Sequence, residues 1–398
     1  MIDSTIERED KYSAATYQKF PVNIAEGKGA LVWDVDGKEY IDCMGGYGVA
    51  LVGHSNPKVV EAIVKQAEKI ITCHSSLYNE ARAELVEKLA KLAPKGLTKT
   101  FFSNSGAEAV EAAIKIAKKH TARTQIVAMS GGYHGKTLGA LSATWNPKYR
   151  EPFQPLVPDF AFSQFGNIEK LRETVSNKTA AVIVEPIQGE GGVHLAPEGF
   201  LPEARKMCNE SGALLIFDEI QTGLGRTGRM WASEHYGVVP DVMCIAKGLG
   251  GGVPIAATLA RDDVMVSMKV GDHSTTFGGN PIACAAANAT LDYIVNEKLP
   301  DRAAEIGYFF MQKLEDIKRK HSIVREVRGK GLMIGFELKF DIRNILMNGI
   351  KKNLLILYSG RNILRFLPPL VITKEQVSKA VDTLDDLVAE EEKSKIAA

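Results

Sequence analysis

Apolar residues recur along this chain in two rhythms, and the rhythms divide it into regions. Between residues 99 and 285, short apolar runs at 99–103, 124–130, 180–185, 213–218 and 241–246 alternate with helical spacing at 106–119, 167–175 and 200–211. Runs this short suit strands covered on both faces, and the alternation predicts a mostly parallel sheet flanked by helices. Upstream, a hairpin over 30–34 and 39–42 turns at Asp36-Gly37, and helices follow at 57–71 and 81–92. Beyond 285 the texture changes to a long helical region over 286–319, a glycine-broken strand over 327–338 and a strand pair at 354–357 and 363–366. A final helix opens on the capping-box pattern Thr373 to Gln376. The expectation is an α/β protein: a large domain over 51–285, a small α+β domain over 286–398, and an N-terminal segment, 1–50, packed with the latter.

A chain of 398 residues is long enough for two such cores. The net charge of +1 gives no sign of a nucleic-acid or membrane partner. No apolar run approaches the roughly 20 residues that span a bilayer, and the polar N-terminus is unlike a secretory signal. Five scattered cysteines form neither a disulfide framework nor a metal-ligand cluster, which fits reduced thiols in a cytoplasmic protein.

Candidate chemistry gathers where the strands end. Asp218 and Lys247 each stand at or just past the carboxyl end of a short apolar run, where open α/β sheets bind ligands. A carboxylate and a lysine so placed can hold an aromatic aldehyde cofactor between them; a structural pair at the rim of a core is the other reading. Ser105 and Glu108 fit a capping box, leaving the N–H groups of Gly106 and Ala107 free for a phosphate or simply capping a helix. Two further glycine patterns compete. The run from Ser130 to Thr137 resembles a P-loop but is off register by one and has no clear helix behind it. Gly223, Gly225 and Gly228 spell a dinucleotide fingerprint, with Asp241 downstream, yet no long amphipathic helix follows. Glu185 and Glu190 add carboxylates at another strand end. Arg365 lies within an apolar strand, where it needs a structural or a ligand carboxylate.

Taken together, Ser105-Gly-Ala-Glu-Ala, Tyr133-His-Gly, Glu185-Pro-Ile-Gln-Gly-Glu-Gly, Asp218-Glu-Ile-Gln-Thr-Gly, Lys247-Gly-Leu-Gly and Thr275-Thr-Phe-Gly-Gly-Asn resemble the class III aminotransferases of fold type I, which use pyridoxal 5'-phosphate. Within that class the chain is most similar to acetylornithine aminotransferases. Trp145 to Phe153 and Ile363 to Ile372 tilt it toward the branch that works on lysine or ornithine held by the amino-group carrier protein LysW. The resemblance implies that Lys247 is the covalent anchor of the cofactor. Asp218 then pairs with the ring nitrogen, Gln221 lies near the ring hydroxyl and Tyr133 stacks on the ring. Ser105, Gly106 and Ala107 form the phosphate cup, with Thr276 reaching it from the partner subunit of a homodimer. Lys136 and Thr275 contact substrate, and Arg365 takes the α-carboxylate of glutamate or 2-oxoglutarate, with Glu190 covering it otherwise. Three positions depart from the usual pattern: Tyr133 replaces a frequent Phe, Ala107 a frequent Thr, and Lys136 a frequent Arg that forks onto carboxylates.

The implied activity moves a terminal amino group between carrier-linked lysine or ornithine and 2-oxoglutarate, in lysine or arginine biosynthesis. N-acetylornithine or free ornithine is the alternative substrate. A nicotinamide-dependent oxidoreductase built on Gly223 to Gly228 is the alternative from another class, and a non-catalytic binding protein on this fold a third.

Overall fold

The computed structural model describes residues 4–396. Its centre is a seven-stranded sheet in the order Lys99–Ser103, Ala256–Ala260, Val242–Ile245, Leu214–Asp218, Thr179–Val184, Gln125–Met129 and Phe160–Ser163. The expected strands are all present and run parallel. Two more join them that the apolar rhythm does not disclose. Phe160–Ser163 forms one edge, and Ala256–Ala260 is inserted antiparallel between Lys99–Ser103 and Val242–Ile245. The inner strands Thr179–Val184, Leu214–Asp218, Val242–Ile245 and Ala256–Ala260 are buried along their whole length. That is why they read as unbroken apolar or small-residue runs rather than as alternation.

Two apolar layers cover the sheet. One is formed by helix Gly106–Thr121, which buries Ala109, Val110, Ala113 and Ala117. The other is formed by helix Phe200–Ser211, which buries Leu201, Ala204 and Cys208. The helical region after 285 is two helices rather than one. Pro281–Asn296 and Leu299–Lys320 are separated at Lys298, whose φ of 49° is left-handed. A division at residue 285 would therefore cut the first of them, which packs on helices Pro57–Lys69 and Glu80–Leu92.

A four-stranded antiparallel sheet follows, in the order Val324–Lys330, Met333–Leu338, Ile363–Phe366, Leu357–Ser359. The glycine-broken strand is thus a hairpin. The N-terminal strands Ile24–Lys28, Leu31–Asp34 and Glu39–Asp42 form a third sheet, which Leu354–Leu355 joins in parallel beside Glu39–Asp42. The expected strand at 354–357 is accordingly split between two sheets. The capping box at Thr373 and Gln376 is formed, each main-chain N–H meeting the other's side chain, and it opens the helix Lys374–Ile396. All five cysteines are free thiols. Among the described residues no helix is long and apolar enough to cross a membrane, and no cluster could hold a metal ion.

Candidate active site

A cavity of about 480 Å³ opens beyond the carboxyl ends of the parallel strands. Each strand delivers its contribution at or just past its last residue: Asn104, Ser105 and Gly106 after Lys99–Ser103, Tyr133 and His134 after Gln125–Met129, and Glu185 after Thr179–Val184. Asp218 closes Leu214–Asp218, and Lys247 follows Val242–Ile245. The Asp218 and Lys247 of the sequence reading thus face one space.

Helix Gly106–Thr121 points its N-terminus into this space. Ser105 and Glu108 form the full capping box, so the helix start is held without using the N–H groups of Gly106 and Ala107. No protein acceptor meets those two groups among the described residues. The floor around them is tight: a Cβ on Gly106 would stand 2.9 Å from Ile220, and one on Gly135 2.7 Å from Ala107. An open helix N-terminus lined by glycines fits a phosphate.

At the opposite side, His134 Nδ1 donates to Asp218 Oδ2 at 2.7 Å, with both side chains buried. The other Asp218 oxygen accepts from the Ile220 N–H. Burial works against a proton on His134, but the hydrogen bond and charge of Asp218, with the charge of Glu185, outweigh it and raise its pKa. Glu185 accepts from the N–H of Tyr133 and of Gly189, both at 2.9 Å, and burial pushes it up to about 7. Burial lowers Lys247 to about 8, an effect that Glu190 opposes and Arg365 reinforces. Its backbone is left-handed at φ 44°, a strained conformation of the kind found at functional sites. The adjacent Gly248 packs so closely on Leu51 that a Cβ would come within 1.7 Å of the leucine Cδ1.

Arg365 reaches the cavity wall from strand Ile363–Phe366 of the four-stranded antiparallel sheet. It is fully buried and pairs with Glu190 at 2.7 Å. Its Nη1 also donates to Gln221 Oε1 at 3.4 Å, while Nε and Nη2 have no partner among the described residues. That pairing keeps the Glu190 carboxyl below its usual range although burial acts in the opposite sense. Lys136 is exposed at the mouth, with its ammonium 4.9 Å from the Tyr149 ring centroid. Thr275 does not line the cavity but accepts from Asn104, which does, at 3.2 Å. Thr276 is exposed and outside this chain's own cavity.

The competing glycine patterns are otherwise employed. A short helix, Leu138–Ala143, does follow Thr137, contrary to expectation. Its first N–H groups, at Gly139 and Ala140, are already taken by Glu111, as is the Thr137 hydroxyl, so no anion site remains. After Gly223, Gly225 and Gly228 comes the short 3₁₀ turn Ala232–Tyr236. Arg226 between those glycines is buried and donates to the carbonyls of Leu332 and Pro368. Asp241 is bound to Arg205, Arg261 and the Leu215 N–H at the far end of the sheet. A dinucleotide site is absent there. Sequence reasoning quoted His134 inside a motif but gave it no role, because its partner lies 84 residues away.

The class III aminotransferase family model matches residues 12–388, and the chain belongs to that family. The family's cofactor is pyridoxal 5'-phosphate, and the cavity fits it: an open helix N-terminus for the phosphate, a buried carboxylate and a half-buried lysine. The chain is 48% identical over 380 residues, 95% of its own length and 97% of the relative's, to the acetylornithine aminotransferase of Methanopyrus kandleri. It is 47% identical over 376 residues, 94% and 87% of the two chains, to the LysW-aminoadipate semialdehyde transaminase of Deinococcus radiodurans. The ornithine aminotransferase of Toxoplasma gondii superposes with a TM-score of 0.95 at 34% identity, covering 99% of this chain and 96% of that one. The acetylornithine aminotransferase of Elizabethkingia anophelis does so with 0.87 at 36%, covering 97% and 98%.

Proposed function

We propose that this aminotransferase moves the terminal amino group between 2-oxoglutarate and a lysine or ornithine whose α-amino group is linked to a carrier protein. The observation that carries the reading is Arg365: a buried guanidinium whose Nε and Nη2 have no partner among the described residues, covered by Glu190 at 2.7 Å. A buried arginine with spare donors suits a ligand carboxylate. Glutamate and 2-oxoglutarate bring one to that position, whereas a terminal amine does not and leaves Glu190 in place.

When bound, the cofactor supplies an electron sink for the carbon that loses its proton. The chain's own groups do the rest. Asp218, steadied by His134, holds a proton on the ring nitrogen. Lys247, whose amine burial makes easier to deprotonate, anchors the cofactor and then carries the proton from the substrate carbon. Gly106 and Ala107 would donate to the phosphate, Tyr133 would stack on the ring, and Gln221, which accepts from Arg365, would lie near the ring hydroxyl.

The carrier-linked substrate accords with the relative from Deinococcus radiodurans. N-acetylornithine is the second reading, favoured by the name of the Methanopyrus kandleri relative. Comparing kcat/KM for carrier-linked lysine, carrier-linked ornithine, N-acetylornithine and ornithine tests the choice. The carrier-linked substrates should lead, and a lead by N-acetylornithine would transfer the assignment to it.

We also infer a homodimer in the cytoplasm. Ile71, Leu77, Tyr78 and Phe277 are large apolar side chains left exposed on the segments 71–78 and 275–278, which offer a lip for a second copy. Ser75 ties this lip to the loop of Thr276 by donating to the Gly278 carbonyl. Burying the lip against a second copy would bring Thr276 of the partner subunit to the phosphate. Sedimentation of wild type and Tyr78→Glu tests this: the substitution should release monomers.

A further inference from the structure

The loop that carries Glu190 is gripped at both ends by different parts of the molecule. Toward the large sheet, the Gly189 N–H donates to Glu185 at 2.9 Å and the Gln188 amide to the Ser130 carbonyl at 2.7 Å. Immediately after Gly189 the loop belongs to the small-domain sheet. Ser359 Oγ donates to the Glu190 carbonyl at 2.5 Å, and Arg328 Nε donates to the Gly192 carbonyl at 2.8 Å. Arg328 is itself buried and fixed by Glu337 and Glu326, each at 2.7 Å. Val193 is packed in an apolar cluster with Met333 and Leu357. Gly192 lies so near Ile363 that a Cβ would stand 2.7 Å from its Cδ1.

Ser359 and Arg365 lie on adjacent antiparallel strands, with Ser359 opposite Ile363 and Leu357 opposite Arg365. Glu190 is therefore held twice by one two-stranded ribbon, by its carbonyl at Ser359 and by its carboxylate at Arg365. We propose that Ser359 and Arg328 are positioning residues for substrate discrimination. They fix the Glu190 main chain to the ribbon that bears Arg365, so the carboxylate leaves and regains the guanidinium by side-chain rotation alone. This rests on the reading that Arg365 takes a ligand carboxylate when Glu190 withdraws. Without the Ser359 bond the covered state is weakened relative to the open one. The two half-reactions must then respond in different ways.

The test uses the holoenzyme with N-acetylornithine and 2-oxoglutarate as separate half-reaction substrates. Ser359→Ala is expected to raise the KM for N-acetylornithine about three- to tenfold, the worth of one net hydrogen bond. The KM for 2-oxoglutarate should stay level or fall, and kcat should hold. Arg328→Lys, which keeps the charge beside Glu337, should split the two constants in the same sense. A merely structural role would move both constants together, and that outcome, or no movement in either, overturns the proposal. Glu190→Gln separates the two layers of argument. If it leaves both constants unchanged, the gate itself is wrong. If it shifts them while Ser359→Ala does not, only the positioning role falls.

Discussion

His134 and Asp218 lie 2.7 Å apart, both buried, although the strands that lead to them are separated in the central sheet by Thr179–Val184. Among the described residues Asp218 forms no ion pair with a lysine or arginine. Its pairing partners are this imidazole and the Ile220 N–H. Removing the imidazole as His134→Ala leaves a buried carboxylate with only the Ile220 N–H, a change worth about 3 kcal/mol. The loss should be largest in the cofactor-free protein and smaller with pyridoxal phosphate bound, because the protonated ring then pairs with Asp218. Thermal unfolding of both forms measures the difference; equal losses would mean that Asp218 does not meet the ring.

For Asp218→Asn the fold should survive, since the amide can still accept from Ile220. Turnover should drop by several orders of magnitude while the cofactor stays bound. Steady-state rates alongside the visible absorbance of the bound cofactor decide this, and a mild effect would assign the ring nitrogen another partner.

Lys247→Ala should abolish transamination with no loss of thermal stability, because alanine keeps the same backbone conformation and, among the described residues, the lysine amine makes no hydrogen bond or ion pair that the fold requires. Borohydride reduction of the wild type followed by peptide mapping should place the label on Lys247. Label on any other lysine would sink the assignment.

The Lys247 amine also predicts a pH dependence. Its folded pKa is lowered to about 8 from an ordinary value of 10.5. Attack on the cofactor's aldehyde needs the unprotonated amine, whose fraction rises as pH climbs through about 8. Reconstitution of the cofactor-free chain should therefore accelerate from pH 7 to 9 and level off above. A rate still climbing tenfold per unit near pH 10 would show that the amine titrates as an ordinary lysine.

Arg365→Lys should raise the KM for 2-oxoglutarate by roughly a hundredfold, since an ammonium cannot reproduce the two-pronged donation of a guanidinium. The half-reaction with a terminal amine should suffer less. An equal penalty on both would argue against Arg365 as the carboxylate site.

Much of this architecture is legible in the sequence for a physical reason. Strands such as Leu214–Asp218 are apolar up to their last residue because both faces are covered, so they stand out against the helices. Ala256–Ala260 is just as buried but built mainly of alanine, which carries no strand signal. The break at Lys298 does leave a mark, Pro300 in the first turn of the second helix, which a reading of 286–319 as one helical region passes over. In the site, Asp218, Lys247 and Ser105 announce themselves by ending strands or capping a helix. The roles of His134 and Ser359 depend on partners far along the chain, and no local spacing reveals such pairs.

The antiparallel strand Ala256–Ala260 has a bearing on what this enzyme can become. It hydrogen-bonds on one side to the strand that leads to Gly106 and on the other to the strand that leads to Lys247. Two strand spacings, about 10 Å, therefore separate the strand end that leads to Gly106 from the one that leads to Lys247. That span is a ruler cut by main-chain hydrogen bonds, and no side chain along it sets the length. Variation one residue at a time can reshape the mouth at Lys136 or the gate at Glu190, but the distance between the two anchors changes only if a whole strand is gained or lost.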